Sequence, residues 1–155
     1  MGWLETPIGP IEVSANEDGA VVRVSFAEDG ASAAEATDEV CAAAVRQLEE
    51  YFSLERRGFD LELDPEGSDF EKLVWMKLQL IPFGTTITYG EIACKLGDPG
   101  ASRAVGLANS RNPVAIIIPC HRVIGADGDL TGYAGGMHRK RWLLAHEAGQ
   151  QNLDF

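Results

Sequence analysis

The chain changes its hydrophobic period at Pro65-Glu66-Gly67-Ser68, and that change restricts the folds open to it. Before this turn-forming stretch, apolar and polar residues alternate. "IEVSAN" (11–16) and "AVVRVSF" (20–26) lie on either side of Glu17-Asp18-Gly19, which predicts an antiparallel β-hairpin. "FDLELD" (59–64) alternates again and predicts a third strand. Between them, "TDEVCAAAVRQLEEYF" sets Val40, Ala43, Ala44, Leu48, Tyr51 and Phe52 at helical spacing. The expected architecture is α+β. Residues 1–68 form a small antiparallel sheet with a helix, and residues 69–155 a mostly helical lobe. A chain of 155 residues is long enough for two such lobes.

The second lobe opens with "SDFEKLVWMKLQLI", whose Phe70, Leu73, Val74, Trp75, Met76 and Leu78 offer a core stripe. Thr88-Tyr89-Gly90-Glu91 has the form of a capping box, and the helix it opens stops at Gly97. Asp98 and Pro99 suit the N-cap and first turn of another helix, "GASRAVGLAN", ending near Asn109. Two short helices around a glycine turn predict a helix-turn-helix. On the second helix Ala101, Ala104, Val105 and Ala108 share one arc and are expected to pack inward. Ser102, Arg103, Gly106, Asn109 and Ser110 share the opposite arc. That face is too sparse to read base edges in a major groove. It is slim enough to press against a backbone or a narrow groove.

Charge follows the same division. Residues 1–70 carry 17 acidic and 4 basic side chains, and residues 71–155 carry 7 and 9, within a total net charge of −11. Only the second lobe is suited to approach a polyanion. No apolar run reaches the roughly 18 residues of a membrane span, and "MGWLETPIGPIEV" lacks the pattern of a signal peptide. The three cysteines, Cys41, Cys94 and Cys120, are odd in number and widely spaced, which suits a reducing cytoplasm. Cys41 has no other Cys or His in its lobe, so no metal site is expected there.

The chemistry concentrates in "IIIPCHRVIG" (116–125), where Cys120 precedes His121 and Arg122. A zinc deaminase would need a second cysteine and an H-x-E, and neither occurs in this arrangement. In an extended segment Cys120 and His121 would point to opposite faces, leaving His138 or His146 as other partners. Neighbouring cations are expected to lower the thiol pKa from about 8.5. A thiol hydrolase and a buried, inert cysteine both remain open on these residues, although the polar neighbours His121 and Arg122 speak against the second. So does a transcription regulator built on the helix-turn-helix.

"NPVAIIIPCHRVIG", with "RAVGLAN" before it and "TGYAGG" after it, resembles the O6-alkylguanine-DNA alkyltransferases (methylated-DNA–protein-cysteine methyltransferases). The resemblance extends over "TPIGPIEV", "QLEEYF", "FDLELD" and "VWMKLQLIPFGTTITYGEIA", and so over almost the whole chain. It implies a ribonuclease H-like first lobe and a second lobe that binds DNA and transfers the alkyl group. It implies direct-reversal repair, in which O6-alkylguanine, flipped from duplex DNA, gives its alkyl group to Cys120 once and irreversibly. O4-alkylthymine is a further candidate substrate.

By the same resemblance, His121 draws the thiol proton through a water, and Glu147 holds His121. Tyr89 assists the leaving guanine, and Asn112 ties the turn after the second helix to the active-site segment. Arg103 fills the gap left by the flipped base, with Ser102, Gly106, Arg111 and Tyr89 also at the DNA, in the minor groove. Val123, Tyr133, Ala134 and Gly135 line the base pocket, where the carbonyls of Cys120 and Val123 accept from the guanine amino group. No cofactor, metal or membrane is implied, and the protein is expected to act as a monomer. Lesion-binding relatives lack the cysteine, which is present here. Ala115, Phe83 and Leu54 depart from common family residues, Leu54 standing where a glycine is usual.

Overall fold

The structure, a computed structural model, describes residues 1–27, 38–128, 133 and 135–151. It divides into two compact units, Met1–Glu66 with Pro113–Ile117, and Gly67–Asn112 with Ile118–Phe155. A single boundary at residue 68 therefore misses a return: five residues from the second half belong to the first unit.

In the first unit β1 (Gly2–Leu4), β2 (Ile11–Ala15) and β3 (Val21–Phe26) form an antiparallel sheet in that order. The predicted hairpin is β2–β3, closed by a turn in which the Asn16 side chain accepts from the Asp18 and Ala20 amides. The expected strand at 59–64 is corrected. It makes only one parallel bridge, Leu63 to Val21, and the third strand is β1. Val21 lies where the β2–β3 register shifts, so no ladder continues from that bridge. Further along β3, the Val24 amide donates to the Pro113 carbonyl, and the Ala115 amide donates back to Val24. This pairing draws residues 113–117 into the unit.

Helix α1 (Glu39–Phe52) is N-capped by Asp38 and covers the sheet with Cys41, Ala44, Leu48 and Tyr51. Cys41 is fully buried and its sulfur lies 3.6 Å from the Val13 carbonyl, as befits a small core residue. Gln47, also buried, exchanges two hydrogen bonds with the Asp60 backbone.

In the second unit α2 (Asp69–Leu78) starts at a reciprocal capping box of Ser68 and Glu71. Its core side is Val74, Trp75 and Leu78, with the Trp75 indole donating to the Ala108 carbonyl. Phe70, Leu73 and Met76, expected in the core stripe, are exposed. The helix uses one narrow arc of its apolar residues. The short strand β4 (Ile87–Thr88) leads into α3 (Tyr89–Lys95), which has the expected Thr88–Glu91 capping box. Gly97 ends α3 at φ 82°, a left-handed conformation that glycine adopts without strain. A 3-10 turn, Pro99–Ala101, then enters α4 (Ser102–Ser110), with no side-chain cap from Asp98. Helix α4 packs on α2 and α3. Its inner arc is corrected: Ala104 is exposed, whereas Asn109, placed on the outer arc, is buried. Strand β5 (Val123–Ile124) pairs in parallel with β4, and α5 (Met137–Gln151) completes the unit. No helix among the described residues is long and apolar enough to cross a membrane.

Candidate active site

Cys120 does not lie in an extended segment. The Cys120 amide donates to the Ile118 carbonyl at 2.8 Å across Pro119, whose φ −81° and ψ 64° are those of an inverse γ-turn. Cys120, His121 and Arg122 then form one turn of 3-10 helix. Successive side chains fan around a helical turn, so the opposite-face argument for Cys120 and His121 falls away. Just upstream, Ile116 has φ 70°, and the Ile117 amide bonds to Ala115 at 2.7 Å. A buried β-branched residue in that region is strained, and the surrounding structure must hold it there.

His121 is fully buried and its Nε2 lies 2.7 Å from Glu147 Oε2. Arg122 grips the same carboxylate with two bonds, Nε to Oε1 at 2.8 Å and Nη2 to Oε2 at 2.9 Å. Its Nη1 donates to the Ile81 carbonyl, and its guanidinium lies 5.7 Å from the Phe83 ring centroid. The Gly84 amide also donates to Glu147 Oε1. Burial alone would raise the Glu147 pKa, but the bonds and charge of His121 and Arg122 hold it far below the usual carboxylate range. Burial pushes His121 below its ordinary 6.5, outweighing the pull of Glu147. The neutral imidazole donates Nε2–H to Glu147, which makes Nδ1 the basic nitrogen. That nitrogen is buried and has no hydrogen-bond partner among the described residues.

The expected lowering of the thiol pKa is overturned. Burial lifts Cys120 to about 11, against a smaller opposing effect of the Asn112 side chain and the Lys140 charge. At neutral pH the sulfur is therefore a thiol, and it needs a base to react. Lys140, fully buried, donates from Nζ to the Val123 carbonyl, and burial lowers its own pKa. Tyr133 is buried and its hydroxyl is unpartnered among the described residues. Burial, then the charge of an ionised Cys120, raises its pKa well above 10.

The remaining residues expected at the site sort by position. Asn112 Nδ2 donates to the Ile118 carbonyl at 2.8 Å, one end of the turn that carries Cys120. Tyr89 is the first residue of α3, directly after the strand that pairs with β5, and so stands close in the fold to the nucleophile's segment. A Cβ at Gly106 would meet the Tyr89 ring at 3.8 Å, so the two helices approach closely at a residue without a side chain. Ser102 and Gly106 are half-buried and Arg103 is exposed. Arg111 is exposed and lies 3.7 Å from Glu71. The Gly135 carbonyl accepts from Arg139, and Ala134 lies outside the described residues. Three residues were missed as site members: Arg122, Lys140 and Asn109. Lys140, Leu143 and Glu147, spaced i, i+3 and i+7, form one buried stripe of α5, and that spacing was the available signal for Lys140.

Residues 1–65 match the family described as 6-O-methylguanine DNA methyltransferase, ribonuclease-like domain, and residues 69–149 its DNA binding domain. A methylated-DNA–protein-cysteine methyltransferase of Methanosarcina acetivorans is 53% identical over 149 residues, 92% of this chain and 94% of the relative. One from Mycolicibacterium paratuberculosis is 61% identical over 106 residues, 68% of this chain and 64% of the relative. The crystal structure of Mycobacterium tuberculosis OGT in complex with DNA matches with a TM-score of 0.85 at 48% identity, covering 96% of this chain and 92% of that one.

Proposed function

This chain belongs to the 6-O-methylguanine DNA methyltransferase family, and from that premise we propose which residues carry out its reaction. The activity is direct-reversal repair: an alkyl group passes from damaged DNA to a cysteine of the protein itself. Cys120 is the acceptor. The observation that carries this is the buried His121–Glu147 pair, which leaves His121 Nδ1 as a basic nitrogen one residue from a buried, protonated thiol. Cys41 sits inert in the first unit's core, and Cys94 is exposed on α3.

His121 takes the Cys120 proton, relayed by water, while Arg122 and Glu147 hold the imidazole in the accepting tautomer. The thiolate attacks the alkyl carbon in line with the guanine O6. The S–C bond forms as the C–O bond breaks, and the electron pair leaves on the guanine. Tyr89, near the base, donates a proton as negative charge develops on the leaving guanine, and the proton held by His121 returns through solvent to the Tyr89 phenolate, so the thiol has lost one proton and the base has gained one. The product is a thioether that the chain has no chemistry to cleave, so each molecule reacts once. The carbonyls of Cys120 and Val123 accept from the guanine amino group, and Tyr133 with residues 134–135 closes the base pocket.

Helices α3 and α4 act as the helix-turn-helix, with α4 in the minor groove of duplex DNA and Arg103 in the place of the flipped base. The slim face of Ser102 and Gly106 supports this placement, as does the absence of base-specific readers, since lesions occur in any sequence. The protein acts as a monomer in the cytoplasm, on O6-alkylguanine, with O4-alkylthymine a further candidate substrate.

The test is intact mass after incubation with a duplex carrying O6-methylguanine. A gain of one methylene mapped to Cys120 is expected, and Cys120→Ala should bind the duplex without gaining mass. Unmodified Cys120 beside a repaired duplex would refute the assignment.

A further inference from the structure

Hydrogens from three residues reach the two oxygens of Glu147, which is 1% exposed. Arg122 supplies two of them, His121 Nε2 one and the Gly84 amide one. Arg122 is itself 5% exposed, and its Nη1 donates to the Ile81 carbonyl at 2.7 Å. Taking two charges out of water costs about as much as their attraction returns, so a buried pair is a weak device for stability. Arg122 needs another reason, and the carboxylate it grips is the one that holds His121. The charge of that imidazole follows from the groups facing it. Arg122 and the Cys120 thiol come from its own turn, and Glu147 and Lys140 from α5. The core side of α2 brings Val74, Trp75 and Leu78, none of them ionisable. Tyr133 stays neutral, its pKa raised well above 10. Among these groups Glu147 favours imidazolium, while burial and the charges of Arg122 and Lys140 oppose it. A buried carboxylate 2.7 Å from the ring, with no cation of its own, would draw a proton onto the pair. The imidazole would take it, since its ordinary pKa of 6.5 exceeds the 4.5 of the carboxyl. An imidazolium carries hydrogen on both nitrogens and cannot accept one from a thiol.

We propose that Arg122 is a positioning residue that keeps His121 a base: by giving Glu147 a cation of its own, it lets the carboxylate orient the imidazole without charging it. This rests on the reading that Cys120 accepts the alkyl group and that His121 takes its proton. Arg122 acts through Glu147 and on no reacting atom. The guanidinium fork suits the task, because two parallel bonds fix the carboxylate as well as neutralise it.

The test uses the full-length protein with Arg122→Met and Arg122→Lys. The first keeps an unbranched side chain and removes the charge, and the second keeps the charge and removes the fork. Single-turnover rate constants are measured from pH 5.5 to 9, a range set by the ordinary imidazole pKa of about 6.5, on a duplex carrying O6-methylguanine. In Arg122→Met the fall of rate on the acid side should move up by at least about one pH unit. Its loss against wild type should then be several-fold greater at pH 6 than at pH 8.5, on either side of that pKa of about 6.5. Arg122→Lys should bring the fall back to within about half a unit of wild type. An equal loss at every pH would overturn the proposal, because a merely structural role slows the reaction without moving its profile. So would a profile for Arg122→Lys that matches that of Arg122→Met. In the wild-type protein, nitrogen NMR should find His121 neutral at pH 7, about half a unit above the ordinary pKa, with its hydrogen on Nε2. An imidazolium there would overturn the proposal whatever the variants do, and loss of folding in both variants would make the pair structural and overturn it as well. Failure of the wild-type protein to alkylate Cys120 would instead count against the underlying reading.

Discussion

At the scale of single residues, the site depends on which charges burial permits. Glu147 stays ionised because Arg122 meets it with two bonds and His121 with a third. Cys120, without a full counter-charge, stays protonated, with burial lifting it to about 11. Two consequences follow for pH. On the proposed mechanism transfer to Cys120 needs neutral His121, whose pKa burial holds below 6.5. The single-turnover rate should therefore be level through neutral pH and fall only as pH drops below that value. A rate that instead climbed tenfold per unit across pH 6–8 would show a thiol ionising without the imidazole. The second consequence concerns stability. A thiol raised from 9.0 to about 11 contributes stability that is fully present below pH 9 and is lost as pH rises towards 11. Denaturant unfolding of wild type should lose about 2–3 kcal/mol more over that range than Cys120→Ala. The nucleophile was legible from its motif, but the sign of its pKa shift was not. Sequence places cations beside the sulfur, whereas burial, which no local pattern displays, decides the outcome.

At the scale of elements, two helix ends illustrate what a residue pattern does and does not foretell. Helix α3 closes with the Asp98 amide on Ala93 and the Gly97 amide on Cys94, a Schellman arrangement with glycine in the left-handed position. Helix α1 closes identically, with Glu55 on Glu50 and Leu54 on Tyr51, yet Leu54 holds φ 66°. A left-handed non-glycine residue costs about 1–2 kcal/mol. Glycine's greater freedom in the unfolded chain and the missing leucine side chain offset part of that relief. Leu54→Gly should therefore stabilise the protein by about 1 kcal/mol and raise Tm by roughly 2–4 °C. An unchanged or lower Tm would mean that the packing of the leucine outweighs the strain. On the proposed assignment the elements also separate binding from chemistry: Arg103 is exposed on α4, while the His121–Glu147 pair lies on the 3-10 turn and α5. Arg103→Ala should slow repair of duplex O6-methylguanine at least about tenfold more than transfer from free O6-benzylguanine, since flipping is needed only in the duplex. Equal losses would remove Arg103 from that role. The capping box of α3 was readable because caps are local. The inward turn of Asn109 was not, because its partner carbonyl is eleven residues away along the chain.

At the scale of the molecule, the acidity is confined to residues 1–70, and the residues of the transfer site lie in the second unit. Cys120 is only 6% exposed, so the transferred alkyl group must be fitted into packed surroundings. Overpacking of this kind costs about 1–3 kcal/mol. Protein carried through one stoichiometric reaction should melt roughly 3–10 °C below unreacted protein, and an unchanged Tm would show a pocket with room already built in. The α+β class, the hairpin, the paired helices and the reactive segment all follow from features that short stretches of sequence carry. Alternation, helical period, capping residues and a nucleophile beside an imidazole act over a few residues each. Tertiary structure alone decided that the 59–64 strand shrinks to one bridge, that residues 113–117 return to the first unit, and that Asn109 turns inward to the Cys120 carbonyl. Each of those outcomes depends on which distant carbonyl or amide remains to be satisfied once the chain has packed, and that is a property of the assembled fold.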